Sequence, residues 1–515
     1  MADPNPLARS PIRGPCRTIA APCLLLALAM VLDAPGPARA LQPCTPTTAL
    51  QPAAGAQFGC SCATDGTAAA VGAMRDPAAA PAAGALYVLQ PGGEVRLTAG
   101  DAGAGDQLGF SVAVGGGTLA GGAPFAAAPG AAHAGAVYVF SARDGSWSAA
   151  SSQVKLVAPD ARSGDHFGQT LALKGDRIAV GAPDRTGSGG SFSGAVYLFQ
   201  RSGGGAWTLE AELADPDAAP FDGFGYSVAL DGDVLAVGAP FADRPGGGGS
   251  LGAVHVFARG ASGWNRVARL TAKDGADGDE LGVVVALDGG TLVAGARRAD
   301  VAGRVDAGAA YVFSLNGGAW NQTAELTAPA PGAGDLFGSA VAVAGPRVVV
   351  GARFHGEGAP NAGAVYVFDP IGKPPTVVLG NPPQAGAELG AAVAASGDAV
   401  IASASLADVG GAVDAGSVLA CPSPLGTQPP GAAVFTITNT DGMATYRPGQ
   451  PVAYTIVVTN VGTAAGTAHV TTAVAGQLRG AAWCRGAGCT PSHPGDVDDT
   501  VVLGVGESAT YTVAG

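Results

Sequence analysis

An all-β chain of short strands and tight turns is what the sequence predicts, and three observations carry the prediction. Of 515 residues, 83 are Gly and 38 are Pro and only 13% are charged, yet 47% are hydrophobic. Disordered chains rich in Gly and Pro lack that apolar fraction, so this chain has a core to bury. Val, Phe and Tyr fall in short bursts bounded by Gly, and no long stretch places apolar residues at helical spacing. The third observation is repetition: phrases such as "FGYSVALDGDVLAVGAP" (Phe224 to Pro240) recur at near-regular intervals.

Residues 1–40 read as a targeting segment. Arg9, Arg13 and Arg17 precede the apolar run Thr18 to Leu32, and Ala38-Arg39-Ala40 offers the small residues a signal peptidase accepts. The run is short for a membrane span, and no later stretch is long and apolar enough to cross a bilayer. Cleavage near Ala40 is therefore expected, with the product secreted or held at the cell envelope or surface. Residues 1–40 carry four Arg against Asp3 and Asp33, so their removal takes the net charge from −13 to −15. So acidic a protein repels nucleic acid and anionic lipid.

The repeat occupies residues 41–425. A Phe-Gly or Leu-Gly step occurs seven times, at Gly59, Gly109, Gly168, Gly225, Gly282, Gly338 and Gly390. Thirteen residues after each comes a "GAP" position, at Gly72, Gly122, Gly181, Gly238, Gly295 and Gly351, with Ser403 in the seventh copy. A third phrase of the type "GAVYVF" follows at Gly84, Gly135, Gly194, Gly252, Gly308, Gly363 and Gly416, and a fourth run such as "WTLEAELA" (from Trp207) closes most copies. Each copy is four short strands, and seven such units predict a seven-bladed β-propeller. Small residues dominate the first two strands, where blades converge, and aromatics the outer strands, where blades diverge. Four of the five Trp (Trp147, Trp207, Trp264, Trp320) are assigned to the fourth strand. Leu41 precedes Phe58 by seventeen residues, as Trp207 precedes Phe224. The segment Leu41 to Leu50 is thus expected to complete blade seven, bringing Cys44 beside Cys421 for a disulfide.

These phrases resemble the FG-GAP repeats of the integrin α-chain propeller and, more closely, bacterial FG-GAP repeat proteins. The resemblance implies partner binding through the upper face, formed by loops joining strands 2–3 and 4–1. After a linker (426–431), residues 432–515 alternate Thr with Val, Ile and Tyr around turns. They resemble the bacterial surface module called domain of unknown function 11, a small immunoglobulin-like β-sandwich, in which a Cys484–Cys489 bridge is expected. In that family a further strand follows "TYTV", so either the sequence is a fragment or the sandwich ends on an unpaired edge. Six Cys remain beyond residue 40, an even number that favours disulfides in an exported chain, with Cys60 and Cys62 unassigned.

Motifs that suggest chemistry are accounted for by turns. "DGD" at Asp231–Asp233 resembles an integrin calcium loop, but calcium needs six to eight oxygens and the thirteen-residue spacing leaves room only for a two-residue hairpin. Asp106, Asp165, Asp222, Asp279 and Asp335, each three residues before the repeat's Gly, are read as caps of their own turns. Gly248 to Gly252 fits G-x-S-x-G and Gly247 to Gly252 fits G-x-G-x-x-G, but both patterns need a strand entering a helix. Gly372-Lys373 is followed by Pro374 and is no phosphate loop. The six His are scattered. No metal and no cofactor is expected.

The expected function is therefore non-enzymatic: a binding or adhesion protein for a protein or glycan ligand. The alternatives are a propeller enzyme acting on glycans or lipids, and a purely structural envelope protein. The strand 2–3 loops vary among copies while the strands do not. They gather Arg185, Phe241, Arg244, Arg297, Arg298, Arg304, Arg353, Phe354 and His355. Arg and aromatic side chains dominate interface energetics, and Arg suits carboxylate-bearing glycans. The competing reading is that these side chains brace long loops.

Overall fold

The computed structural model describes residues 52–421 apart from 91–92, 143–145, 149–150, 245–248, 370, 381 and 398. It also describes the two-residue strand Thr45–Pro46 and the strands of a C-terminal unit between 435 and 514. The expected signal peptide and linker lie outside the described residues. The chain divides into two compact units, with the division between residues 427 and 428.

The first unit is a seven-bladed propeller of four-stranded antiparallel sheets. Blade 1 is Phe58–Thr64, Ala69–Ala73, Ala85–Gln90 and Gly93–Leu97, in that spatial order. Blade 4, which matters most below, is Ser227–Asp231, Val234–Ala239, Ala253–Gly260 and Gly263–Leu270. Blade 7 takes three strands from its own repeat, Leu389–Ser396, Ala399–Ala404 and Ser417–Cys421. Its fourth is Thr45–Pro46, paired antiparallel with Ala420 and Leu419. The expected N-terminal closing strand is there, two residues long. Of the four Trp assigned to fourth strands, Trp207, Trp264 and Trp320 lie in them, whereas Trp147 precedes its strand, Ser152–Leu156.

The repeat's glycines are set by the junction between blades. The Gly of each Phe-Gly step has φ between 87° and 93°, which other L-residues rarely adopt. Its carbonyl then presses onto the "GAP" glycine of the preceding blade: a Cβ on Gly122 would lie 1.9 Å from Gly168 O, and one on Gly238 1.9 Å from Gly282 O. Ser61, Ser111 and Ser227 donate hydroxyl hydrogen bonds to the same carbonyls of the following blade, at 2.7–2.8 Å. The blade 7–blade 1 junction repeats the pattern of the third phrase, since a Cβ on Gly416 would lie 2.0 Å from Phe58 O. It differs in carrying Ser403, whose Oγ bonds the Ala392 backbone.

The "DGD" hairpin also joins blades. Asp231 Oδ1 lies 2.9 Å from Lys174 Nζ of blade 3, and Oδ2 accepts from Gly289 N of blade 5 at 2.9 Å. Burial acts against the charged form, but these partners hold the Asp231 carboxyl below its ordinary range. Asp233 accepts from Arg177 Nη1 at 2.9 Å. Both carboxylates are spent on neighbouring side chains and backbone.

The C-terminal unit contains a five-stranded antiparallel sheet, ordered Phe435–Thr440, Ala453–Asn460, Ser508–Ala514, Ala482–Arg485 and His493–Pro494, and a ribbon of Gly466–Thr471 with Asp498–Leu503. The final strand occupies an interior position of its sheet. Cys484 is buried and disulfide-bonded. Cys489, the Cys44 half of the expected ring-closing bridge, and the Cys421 side chain lie outside the described residues. Cys60 and Cys62 are free thiols, and burial raises them to about 11 and about 12.

Candidate ligand-binding face

The strand 2–3 and 4–1 loops emerge at the same end of every blade, and repeated polar contacts fix them there. The five capping aspartates do what their position implies. Asp106, Asp165, Asp222, Asp279 and Asp335 each accept from the backbone N–H three residues earlier, at 2.7–3.0 Å. A second carboxylate, not singled out in the sequence, anchors the tyrosine of the third strand. Tyr138 donates to Asp101 and Tyr197 to Asp160, each at 2.8 Å; Tyr87 donates to Asp76. Burial first, and the carboxylate partner next, push these phenols far up.

On this scaffold the nine expected ligand residues separate into braced and accessible groups. Arg185 is clamped between Asp160 and Glu212, over the Tyr197 ring. Arg297 Nε donates to Glu280 Oε2 at 2.7 Å, and His355 Nδ1 meets Asp335 Oδ2 at 2.9 Å. Arg353 lies over the Phe354 ring, 4.0 Å from Glu388. Arg298, Arg304, Arg244 and Phe241 remain exposed, with Arg298 3.5 Å from Glu280 and Arg244 3.6 Å from Asp277. The bracing reading therefore describes Arg185, Arg297 and His355.

Blade 4 departs from the pattern in three linked ways. First, His255 replaces the third-strand tyrosine. It is 0% exposed, both ring nitrogens lack a hydrogen-bond partner, and Nε2 lies 3.4 Å from Asp215 Oδ2, out of hydrogen-bonding alignment. Burial pushes the imidazole down to about 4, so it is neutral at neutral pH. Second, the loop before blade 4 has the same length as its counterparts and keeps an Asp five residues before the cap, Asp217, in register with Asp101, Asp160 and Asp274, but it adds Asp215 where they have Ala99, Ala158 and Ala272. Third, the same loop presents Phe221, 61% exposed, where blades 2, 3 and 5 have Gly105, Gly164 and Gly278, stacked on Phe192 of the blade 3 loop with centroids 5.5 Å apart and planes 19° from parallel. Phe241 stands nearby: its N–H donates to Asp222 O, and its ring meets Tyr226 edge-on.

Both stacked phenylalanines have left-handed backbones, φ 55° at Phe192 and 71° at Phe221. Phe192 sits two residues before the Gly of the third phrase, where Ala82, His133, Asp306, Asn361 and Asp414 are also left-handed. Asp, Asn and His tolerate that conformation; a bulky aromatic does so at a cost of about 1–3 kcal/mol. The loop that carries Phe221 also contributes Asp215, Asp217, Ala219 and Asp222 to the lining of a cleft of about 330 Å³, with Asp243, Arg244 and Arg269. Arg266 donates to Asp215 at 2.7 Å and to Asp217 at 2.6 Å, and Arg269 donates to the Asp243 carbonyl at 2.6 Å. Among the described residues no cluster of three or more His, Cys, Asp or Glu has the geometry of a metal site.

No curated protein matches the sequence. The FG-GAP repeat family matches six successive stretches, residues 47–89, 92–140, 150–199, 207–257, 264–313 and 320–368, more than half of the chain. Those stretches span blades 1 to 6, and the seventh blade follows from the structure. The chain belongs to the FG-GAP repeat family.

Proposed function

We propose that this is an exported, non-enzymatic binding or adhesion protein that recognises a protein or glycan through the loop face of its propeller. The observation that carries the reading is the exposed Phe192–Phe221 stack, held in strained backbone conformations on loops that differ among blades. Exposed aromatics that stabilise no core are a signature of contact surfaces. Arg244, Arg298 and Arg304 stand on the loops of the same face. Export rests on the basic, apolar and small-residue pattern of residues 1–40. The C-terminal unit is proposed to be an immunoglobulin-like spacer or docking module of the domain of unknown function 11 type, as found on bacterial surfaces. A screen of the full chain against immobilised proteins and glycans tests this. Binding should fall when Phe241, Arg298 and Arg304 are replaced by Ala together with Phe221→Ala, at unchanged melting temperature. Binding indifferent to all four replacements would move the function off this face.

A further inference from the structure

We propose that the cleft beside the Phe192–Phe221 stack is a subsite for an uncharged sugar ring of a glycan, an assignment that rests on the loop-face reading and narrows it. Four observations converge. The stacked Phe192 and Phe221 are 44% and 61% exposed, and Phe221 lies in the sequence between Ala219 and Asp222, which line the polar cleft. Pyranose rings carry apolar C–H faces and polar edges, and an aromatic platform next to hydrogen-bonding groups matches both.

The cleft's charge is nearly balanced. Asp215, Asp217, Asp222 and Asp243 face Arg244 and Arg269, with Arg266 clamping the first two carboxylates. A cationic guest would meet three guanidinium groups and an anionic guest four carboxylates. Hydroxyl groups both donate and accept, so they use fixed acceptors and donors together, and bidentate partners such as Asp and Arg suit adjacent hydroxyls. A volume of about 330 Å³ is small for a ligand cleft and fits a sugar unit better than a folded epitope.

One carboxylate lining the cleft, Asp215, faces a buried polar group that is not satisfied. His255 is fully buried, unpartnered at both nitrogens, and directed at Asp215, whose other oxygen accepts from Arg266. In blades 2 and 3 the corresponding Tyr fills this place and satisfies its Asp at 2.8 Å. Blade 4 thus forgoes a structural hydrogen bond where its loop carries an additional Asp, Asp215, and its aromatics are exposed. Residues that break a local rule without structural gain mark function.

The backbone supplies a test that separates function from structure. Phe192→Asn places at that position a residue its left-handed backbone favours, as Asn361 does in blade 6. Calorimetric titration of the full chain with cellohexaose, maltohexaose, mannohexaose and chitohexaose, with hexalysine and hexagalacturonate as charged probes, reads the ligand class. At least one neutral oligosaccharide should bind, and Phe221→Ala and Asp243→Asn should each weaken it about tenfold or more. Phe192→Asn should weaken it too while leaving the melting temperature equal or higher. A fall in melting temperature on Phe192→Asn would show the stack to be structural and overturn the assignment. Binding of hexalysine or hexagalacturonate alone, dependent on Phe221, would overturn the sugar class but leave the face as the binding surface. Neutral-sugar binding insensitive to Phe221→Ala would overturn the site, and a protein ligand lost with Arg298→Ala and Arg304→Ala alone would place recognition on blade 5 instead.

Discussion

Replacing Gly238 by Ala would put a Cβ 1.9 Å from Gly282 O and 2.3 Å from Ser227 Oγ. A carbon and an oxygen need about 3.2 Å or more, so blade 4 would have to move from blade 5 by roughly 1 Å in a close-packed interior. That movement strains the buried Ser227–Gly282 hydrogen bond of 2.8 Å, which contributes about 1 kcal/mol. Overpacking costs about 1–3 kcal/mol, and more where the obstacle is backbone. Together Gly238→Ala should cost about 3–5 kcal/mol. For a unit of this size that lowers the melting temperature by about 4–6 °C. Gly203→Ala is the matched control, since nothing lies within 4 Å of its Cβ and its φ is not left-handed. It should shift the melting temperature by no more than about 1 °C. Differential scanning calorimetry of both variants decides the matter. Gly238→Ala melting within about 1 °C of the parent would refute the argument that the repeat's glycines are kept by blade-to-blade contact.

Three further outcomes are expected. Non-reducing peptide mapping should pair Cys44 with Cys421, a closure of several hundred residues contributing roughly 3–5 kcal/mol on the entropic account; Cys44 paired elsewhere would refute it. Melting curves in chelator and in millimolar calcium should coincide, and a drop of many degrees in chelator would reveal a structural ion. Burial raises the Tyr87, Tyr138, Tyr197 and Tyr311 phenols, and the Cys60 and Cys62 thiols to about 11 and 12, above their ordinary values of 10.0 and 9.0. Raised groups stabilise the fold below the unfolded value and lose that contribution as pH climbs through the folded one. The urea midpoint should therefore decline steadily above about pH 9, and a flat profile to pH 11 would contradict it.

The architecture was readable because its constraints are local and repeated seven times. A Gly recurs at all seven Phe-Gly or Leu-Gly steps and another follows thirteen residues later in six of the seven copies, so spacing alone reported blade number. Asp106 and its four counterparts were likewise readable as caps, because an Asx-type turn involves only residues within three of each other. The partners of Asp231 were not. Lys174 and Gly289 lie 57 and 58 residues away in sequence, and only the packing of successive blades brings them together. The same limit hid the bracing of Arg185 and Arg297, whose carboxylates come from other loops of the face.

The proposed binding surface was legible only where a copy disagrees with its siblings. Arg and aromatic residues in variable loops pointed to one end of the propeller, but composition could not separate Arg297, held by Glu280, from Arg298 beside it, which stays exposed. Phe192 and Phe221 escaped notice because a phenylalanine in a loop carries no sign of its backbone conformation. The usable signal was comparison in register: His255 where other copies have Tyr or Leu, Asp215 and Phe221 where neighbouring copies have Ala and Gly, and an aromatic where other copies place Ala, His, Asp or Asn before the third phrase. Each departure alone is tolerable variation. Their convergence on one junction is not explained by packing, since His255 loses a hydrogen bond and Phe192 and Phe221 strain the chain without entering the core. In a fold whose junctions are otherwise closely copied, stability forgone at one blade boundary supports the proposal that this boundary contacts something outside the chain.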